Sequence, residues 1–473
     1  MSTSSILSSL LSSSNTSSSI DLSSILEAAT GSSSSGIDVT SAVNSAVSAA
    51  EAPETAWESQ QTTLQNQTSA LTTIQTDVTS LDNDMQSLNS LIGPLSASAV
   101  TSSNSSIVTA SAASGSATGT NLIVVNSLAS TASYSSSVVA SATTDLPAES
   151  ITITPAGGSA TTITTGSGVD TLTDLKNAVN NADLGVTASI ITDASGSRLA
   201  ITSNSSGSAG SFTVSSSGGS FELTQAEAGS NASLTVNGIS ISSASNTVTG
   251  VISGVTLNLQ SASPGTQVTL TVAPDTSQAS TAINQFVTDY NTLIKAVNAQ
   301  FTYTSGSGQG VLAQDPTVRS LQSDLLGSLD YTSTTGSGSS ATTTSLASMG
   351  ITVNSDGTLS VDSATLSSAL DNKYSQVQNF FQGTALNGFA NSMDQQLTSF
   401  ISPADGAFTV DLQSISSQNT TLQDDINNFQ TNIITPLKAR LTTEYSDAEE
   451  ALQELPGEIK NIDAELGMNS SSS

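Results

Sequence analysis

The chain has no cysteine and no histidine among its 473 residues. Their absence removes thiolate nucleophiles, imidazole acid-base catalysis and the two commonest ligands of transition metals, so most enzyme classes lose their usual tools. Without disulfides, stability must come from packing and assembly. Positive charge is scarce as well: eight Lys and Arg stand against thirty-eight Asp and Glu, a formal charge of -30, and no basic residue precedes Lys176. Such a field repels phosphate backbones and anionic headgroups, which argues against nucleic acid and membrane surfaces as partners. No run of ~18 apolar residues is present, so no membrane-spanning helix is expected. The opening MSTSSILSSLLSSSNTSSSI lacks the positive n-region and unbroken apolar core of a secretory signal peptide. If the protein leaves the cell, another export route is expected. Aromatic residues make up only 4% and charged residues 10%. Ser and Thr supply roughly a third, far from the averages of a soluble domain, which implies thin cores.

What is present falls into helical ends and a β-rich middle. The length suits about two to four domains. Residues 1 to 36 are a Ser-rich tract that cannot bury enough apolar area to offset the entropy of ordering, and disorder before assembly is expected there. After Gly36 a heptad row runs through Trp57, Leu64, Leu71, Val78, Met85 and Ile92, with a second row at Ile74, Leu81, Leu88 and Leu95. Rows at spacing seven, offset by three, predict one helix of about forty residues with a coiled-coil seam, stopped at Gly93-Pro94. The far end repeats the pattern with Leu422, Ile426, Phe429 and Ile433, then Leu441, Tyr445, Ala448, Leu452, Leu455, Ile459, Ile462 and Leu466. Long helices with narrow stripes gain little from propensity alone, so both ends are expected to pack together or against neighbouring subunits. Pro436 and Pro456 interrupt the second stripe, and a break is expected near Pro456-Gly457.

Between the ends the period falls to two. Strands are predicted at Asn121 to Val125, Ile151 to Thr154, Thr187 to Ile191, Arg198 to Thr202, Ser233 to Val236, Val255 to Leu259 and Gln267 to Val272, separated by Gly, Asn and Ser turns. One helix is predicted at Thr171 to Ala182, capped by Asp170 or Thr171. Helix returns from about Ser277, where Ile283, Phe286, Val287, Tyr290, Leu293, Ile294 and Val297 form a broad apolar face.

Candidate chemistry is sparse. Paired carboxylates at Asp82/Asp84, Asp424/Asp425 and Glu449/Glu450 have the residue type for glycoside hydrolysis, but their place in heptad helices reads as a solvated face. Asn354-x-Asp356-Gly357 lacks the spaced ligands and closing Glu of a calcium loop and reads as a hairpin turn. Gly306 to Gly310 lacks the Lys-Ser/Thr of a phosphate loop and reads as a linker. Trp57, the sole Trp, sits in the heptad row and reads as a core or subunit contact. Sequons such as those at Asn104, Asn204 and Asn231 arise by chance in so Ser/Thr-rich a chain. No catalytic, cofactor-binding or metal-binding residue is assigned, and no cofactor is implied.

Several segments resemble the flagellar hook-associated protein 2, or filament-capping, family. SGIDVTSAVNSAVSAAEAPETAWESQQTTLQNQTSALTTIQTDVTSL looks like its entry segment, with landmarks Gly36, Ile37, Asp38, Glu51 and Pro53. TLTDLKNAVNNADLGVTASIITDASGSRLAITSNSSG resembles the repeat of flagellins and hook-associated proteins in general. NTVTGVISGVTLNLQSASPGTQVTLTVAPDTSQASTAINQFVTDYNTLIKAVN, with Pro274-Asp275 and Asp289-Tyr290-Asn291, is similar to the capping family's passage from head to helical leg. GVLAQDPTVRSLQSDL and MGITVNSDGTLSVDSATLSSAL resemble two further segments, so the likeness runs from about residue 36 to about 466. Two departures stand out: family members usually lack an internal Pro like that of Glu454 to Gly457, and the scarcity of Lys and Arg exceeds the family norm.

The resemblance implies an α+β, elongated, multidomain fold: N- and C-terminal helices form a coiled-coil or helix-bundle leg, and a central β-rich head has one or two small domains. The expected divisions are 1-55 as terminal segment, 56-105 as heptad helix, 106-272 as head, 273-419 as helical leg with a β-hairpin, and 420-473 as C-terminal coiled-coil helices. It implies an extracellular cap at the flagellar tip, exported by the flagellar type III route. The cap would be a homo-oligomer, a pentamer, that promotes folding and insertion of flagellin and prevents its loss. Its partners would be flagellin, the hook-filament junction protein and a flagellar export chaperone. The candidate interface residues are Trp57, Leu64, Leu71, Leu452, Leu455, Ile459, Ile462 and Leu466. The rivals are a flagellin or hook-filament junction protein, and a Ser/Thr-rich surface adhesin, a role that the cap itself could share.

Overall fold

The computed structural model describes residues 38 to 465 except 307 and 337 to 340, and also leaves undescribed the side chains of 456, 459, 460 and 462 to 465. The expected disorder of residues 1 to 36 lies outside the described residues. The chain divides into two compact units, one made of residues up to Ser80 with Thr292–Leu325 and everything from Gln396 onward, the other of Leu81–Asn291 with Leu326–Gln395.

The first unit is helical. Asp38 caps α1 (Val39–Ala50), its Oδ1 accepting the Ser41 N–H at 3.1 Å. The predicted long helix is α2 (Ala52–Asn89), 38 residues. In this unit it buries Leu64, Leu71, Ile74 and Val78, which fall on one side because steps of three and four follow the helical period. Phe301 ends α4 (Thr276–Phe301), and the Arg319 guanidinium of α5 (Pro316–Ser328) lies 5.6 Å from its ring centroid. The C-terminal run holds α9 (Ala407–Phe429), a π-turn at Gln430–Ile434, and α10 (Thr435–Glu465).

The π-turn changes the phase of the stripe. In an unbroken α-helix the row Leu422, Ile426, Phe429 leads to Ile433. Here the Thr435 N–H donates to the Gln430 carbonyl, five residues back, which accommodates one extra residue. Ile434 therefore turns inward, 3% exposed, and Ile433 turns out, 51% exposed. Ile434 packs against Val43 and Val47 of α1, with Leu441 and Tyr445 alongside. The expected interruption at Pro436 takes this form: Pro has no N–H for the Asn432 carbonyl, and the wider turn just before it absorbs the defect. The break expected near Pro456-Gly457 does not occur, since α10 runs through both. The Leu452 carbonyl loses its donor, but it lies on an exposed stretch where water can replace it.

The second unit holds two β-lobes and a helical part. One lobe pairs β1 (Ser98–Ser102), β2 (Val108–Ala112), β3 (Gly119–Ser127), β11 (Ala232–Val236), β12 (Ile239–Ser243), β13 (Thr247–Ile252), β14 (Val255–Leu259) and β15 (Val268–Pro274). They form an antiparallel sheet in the order β1-β15-β3-β11-β12 and a second in the order β13-β14-β2. Alternate residues such as Ile123, Val125, Leu234, Leu257 and Leu270 point into one shared core, as the period-two pattern requires.

The other lobe is inserted between β3 and β11. It contains β4 (Thr131–Ser136), β5 (Ser150–Pro155), β6 (Thr161–Thr164), α3 (Leu172–Asn181), β7 (Val186–Asp193), β8 (Gly196–Ser206), β9 (Phe212–Ser216) and β10 (Leu223–Glu227), in sheets β10-β4-β8-β7 and β6-β5-β9. Thr171 and Asp174 make a reciprocal capping box, and α3 buries Leu172, Leu175 and Val179 in the lobe's core. The carboxylate of buried Glu149 accepts the N–H groups of Ser220 at 2.8 Å and Phe221 at 3.2 Å.

Two hairpins follow, β16 (Ser333–Thr335) with β17 (Thr342–Thr344) and β18 (Ile351–Val353) with β19 (Leu359–Val361). The second turns at Asn354 to Gly357 as predicted, with Gly357 at φ +81° and Asp356 Oδ1 accepting the Thr358 N–H at 3.0 Å. Then come α6 (Ser363–Asn372), α7 (Tyr374–Gln382) and α8 (Phe389–Ile401). Phe286, Tyr290, Phe380, Phe381 and Phe389 form an aromatic core in this unit, with centroids 5.1 to 6.4 Å apart in the pairs that touch.

Candidate assembly site

Among the described residues no group of three or more acidic side chains could hold a metal ion. No helix there is long and apolar enough to cross a membrane. The features with unspent chemistry are helical surfaces and buried polar groups. Trp57 on α2 is half-buried, its ring edge-on to Phe429 at 5.3 Å and 88°. Beside the pair, Gln61 Nε2 donates to Gln423 Oε1 at 2.9 Å, and Gln430 hydrogen bonds to Glu54. Trp57, Leu422, Asp425, Phe429 and the outward Ile433 line an open groove of about 890 Å³.

The predicted interface residues separate into different environments. Leu64 and Leu71 lie inside the chain's own helical unit, 7% and 0% exposed. Leu452 and Leu455 stand on α10 beyond Leu441 and Tyr445, exposed by 50% and 48%. Ile459 and Ile462 lie on α10 with side chains outside the description, and Leu466 lies outside the described residues. Among the candidates whose side chains are described, Trp57, Leu452 and Leu455 are therefore the ones with surface open to a partner. Ile92, placed by sequence at the end of the heptad row, is 82% exposed instead, because α2 ends at Asn89 and the chain turns. Leu91 beside it is 65% exposed.

That turn is held by one face of α7. Tyr374, Gln378 and Gln382 recur every fourth residue: the Tyr374 hydroxyl and Gln378 Nε2 donate to the Leu95 carbonyl at 3.2 and 3.0 Å. Gln382 Nε2 donates to the carbonyls of Leu88 at 3.2 Å and Ser90 at 3.0 Å. Carbonyls left over where a helix ends need such donors. Burial, with Asp275 nearby, pushes the Tyr374 phenol up to about 12. No local signal marks these three residues; their spacing becomes meaningful only once their partners are known.

The acidic pair Asp82/Asp84 is not a solvated face. Asp82 is 5% exposed and lies within hydrogen-bonding reach of Asp394 on α8, while half-buried Asp84 reaches Asp289 on α4. Burial, reinforced by the facing carboxyls, raises Asp82 to about 6 and Asp84 to about 7. One sequence signal pointed this way, since Asp82 sits between Leu81 and Met85 on the edge of the buried stripe. Asp424 is exposed as expected, whereas Asp425 is half-buried at the groove.

Comparison with known proteins gives this architecture a family. The model of the flagellar hook-associated protein 2 N-terminus matches residues 35–132, and that of its C-terminus matches 229–456. The interval between them coincides with the inserted lobe. The B-type flagellar hook-associated protein 2 of Pseudomonas aeruginosa is 30% identical over 384 residues, covering 73% of this chain and 78% of its own. The flagellar hook-associated protein 2 of Escherichia coli K12 is 31% identical over 49% of this chain and 53% of its own. The crystal structure of the D1-D2-D3 domains of the Escherichia coli flagellar cap protein FliD superposes with a TM-score of 0.57 at 30% identity. It covers 73% of this chain and 99% of that one. Helical ends around a β-rich head, together with these matches at both halves, place the chain in the flagellar hook-associated protein 2 family, the caps of the flagellar filament.

Proposed function

We propose that this cap works as a homo-oligomeric plate, a pentamer at the filament tip, whose helical ends grip the filament while its β-lobes cover the flagellin that arrives and folds beneath them. Its partners in this reading are flagellin, the hook-filament junction protein and an export chaperone, and it is a structural protein without catalysis, exported by the flagellar type III route. One observation carries it: the apolar row of α10 continues past its contact with α1, leaving Leu452 and Leu455 half-exposed on a helix whose neighbouring residues are largely exposed. Apolar rows of this kind find burial in partner helices. The row Leu452, Leu455, Ile459, Ile462 and Leu466 supplies the grip, and its narrowness lets each subunit release and re-engage as the filament grows.

The test replaces Leu455, Ile459 and Ile462 with Asp in the full chain, alongside a deletion of residues 1 to 40. Either variant should leave the β-lobes folded by circular dichroism, yet yield cells without filaments that shed monomeric flagellin. Normal filaments in either would overturn the proposal.

A further inference from the structure

We propose that the second unit is locked by shared protons: Asp82 with Asp394 and Asp84 with Asp289 each hold one proton between two carboxyls, tying α2 to α8 and to α4 in acid and loosening them as pH rises. The geometry leaves few alternatives. Asp82 is buried, and its Oδ2 already accepts from Gln86 Nε2 at 2.8 Å, while its Oδ1 has no donor. Asp84 Oδ2 is likewise buried without a donor. An ionised carboxylate with a buried oxygen lacking a donor is costly, and a proton shared with the facing carboxyl relieves it, although Asp84 also borders an open cleft with Ser277, Gln278 and Gln285.

No cation is at hand. The groups facing the pairs are Gln86 on α2, Asp394 on α8 and Asp289 on α4, the last holding its Oδ2 against Gln285 Nε2 at 3.0 Å. The ion pair found among the described residues, Arg440 with Glu444, is on α10. A proton held between facing carboxyls turns a repulsive contact into a strong hydrogen bond, as in other carboxyl pairs. The sign follows from the direction of the shifts. Both groups are raised from 3.8, to about 6 and about 7, so their contribution is complete below about pH 4 and is lost as pH climbs through that range. The chain's charge of -30 acts in the same sense, because neutralising carboxylates relieves self-repulsion.

The experiment is urea unfolding of the full chain from about pH 4 to pH 8, with D82N, D84N and, as a control for surface charge, D330N. Each proton held only by the folded state multiplies the unfolding constant by about ten per pH unit inside the window. The wild type should therefore show a slope of up to about a hundredfold per unit from the two pairs. Each Asn variant should lose about tenfold per unit, because an amide donates to the facing carboxylate at every pH, and D330N should keep the wild-type slope. Should D82N or D84N fail to fold, D394N or D289N opens the same pair from its other side. Independently, the infrared carbonyl band of a protonated acid should persist in the folded wild type at about pH 5.5 and vanish in urea. Unchanged slopes in the Asn variants, or no such band, would overturn the proposal.

Discussion

Replacing Gln382 with Leu tests whether the end of α2 is held by α7. Gln382 is 4% exposed, and its amide donates to the carbonyls of Leu88 at 3.2 Å and Ser90 at 3.0 Å. Leu has nearly the same volume, so the change removes donors without opening a cavity. Losing the amide leaves the Leu88 carbonyl without a partner, at about 1–3 kcal/mol. It also takes one of two donors from the Ser90 carbonyl, which keeps the Gly93 N–H at 3.0 Å, at about 0.5–1.5 kcal/mol. Roughly 1–2 kcal/mol from the added apolar burial offsets this, for a net loss of about 1–2 kcal/mol. For a unit of this size about 2–4 °C are lost per kcal/mol, so the melting temperature should fall by about 2–8 °C. The assay is thermal unfolding of the full chain followed by circular dichroism at several pH values. Gln382→Glu adds a diagnostic: its carboxylate would face two carbonyl oxygens near neutral pH, whereas the protonated acid regains one donor. The Glu variant should therefore recover relative to wild type as pH falls, and the Leu variant should not. A Leu variant within about 1 °C of wild type, or a Glu variant with no such recovery, would refute the reasoning.

Other outcomes follow from the same geometry. In a chain with Pro436 replaced by Ala, where no proline needs the wider turn, deleting Ile433 removes the extra residue of the π-turn and keeps Ile434 in phase with Leu422 and Ile426. It should change stability by less than about 1 kcal/mol, whereas inserting an Ala before Ile434 rotates it off α1 and should cost about 2–4 kcal/mol in urea unfolding. Trp57→Ala loses an edge-on aromatic pair and half-buried area, for an expected cost of about 2–3 kcal/mol by chemical denaturation. Thr171→Ala opens the capping box of α3 and should cost about 1 kcal/mol, read as a lower midpoint of thermal unfolding. Equal stability of the deletion and insertion variants would discredit the phase argument.

Local chemistry in the sequence determined much of this fold. Asp170 or Thr171 ahead of Leu172, Leu175 and Val179 marked the start of α3, and Asn354 to Gly357 between β-branched runs marked a hairpin. Period two in Ser233 to Val236 and Val255 to Leu259 marked strands with one buried side, because side chains alternate across a strand whatever lies beyond it. The heptad rows likewise identified the long helices of both ends. Tertiary structure decided what those rows touch. Leu64 and Leu71 meet the chain's own helices, and Ile92 lies past the end of α2. Asp82 and Asp84 read as a solvated face by residue type although Asp82 borders the buried stripe, and only α4 and α8 bring carboxyls against them. Gln382 works through carbonyls some 290 residues away in sequence, and the π-turn set before Pro436 selects Ile434 over Ile433 for the interior. Periodicity is written along one element, whereas burial, proton sharing and phase shifts depend on which second element arrives.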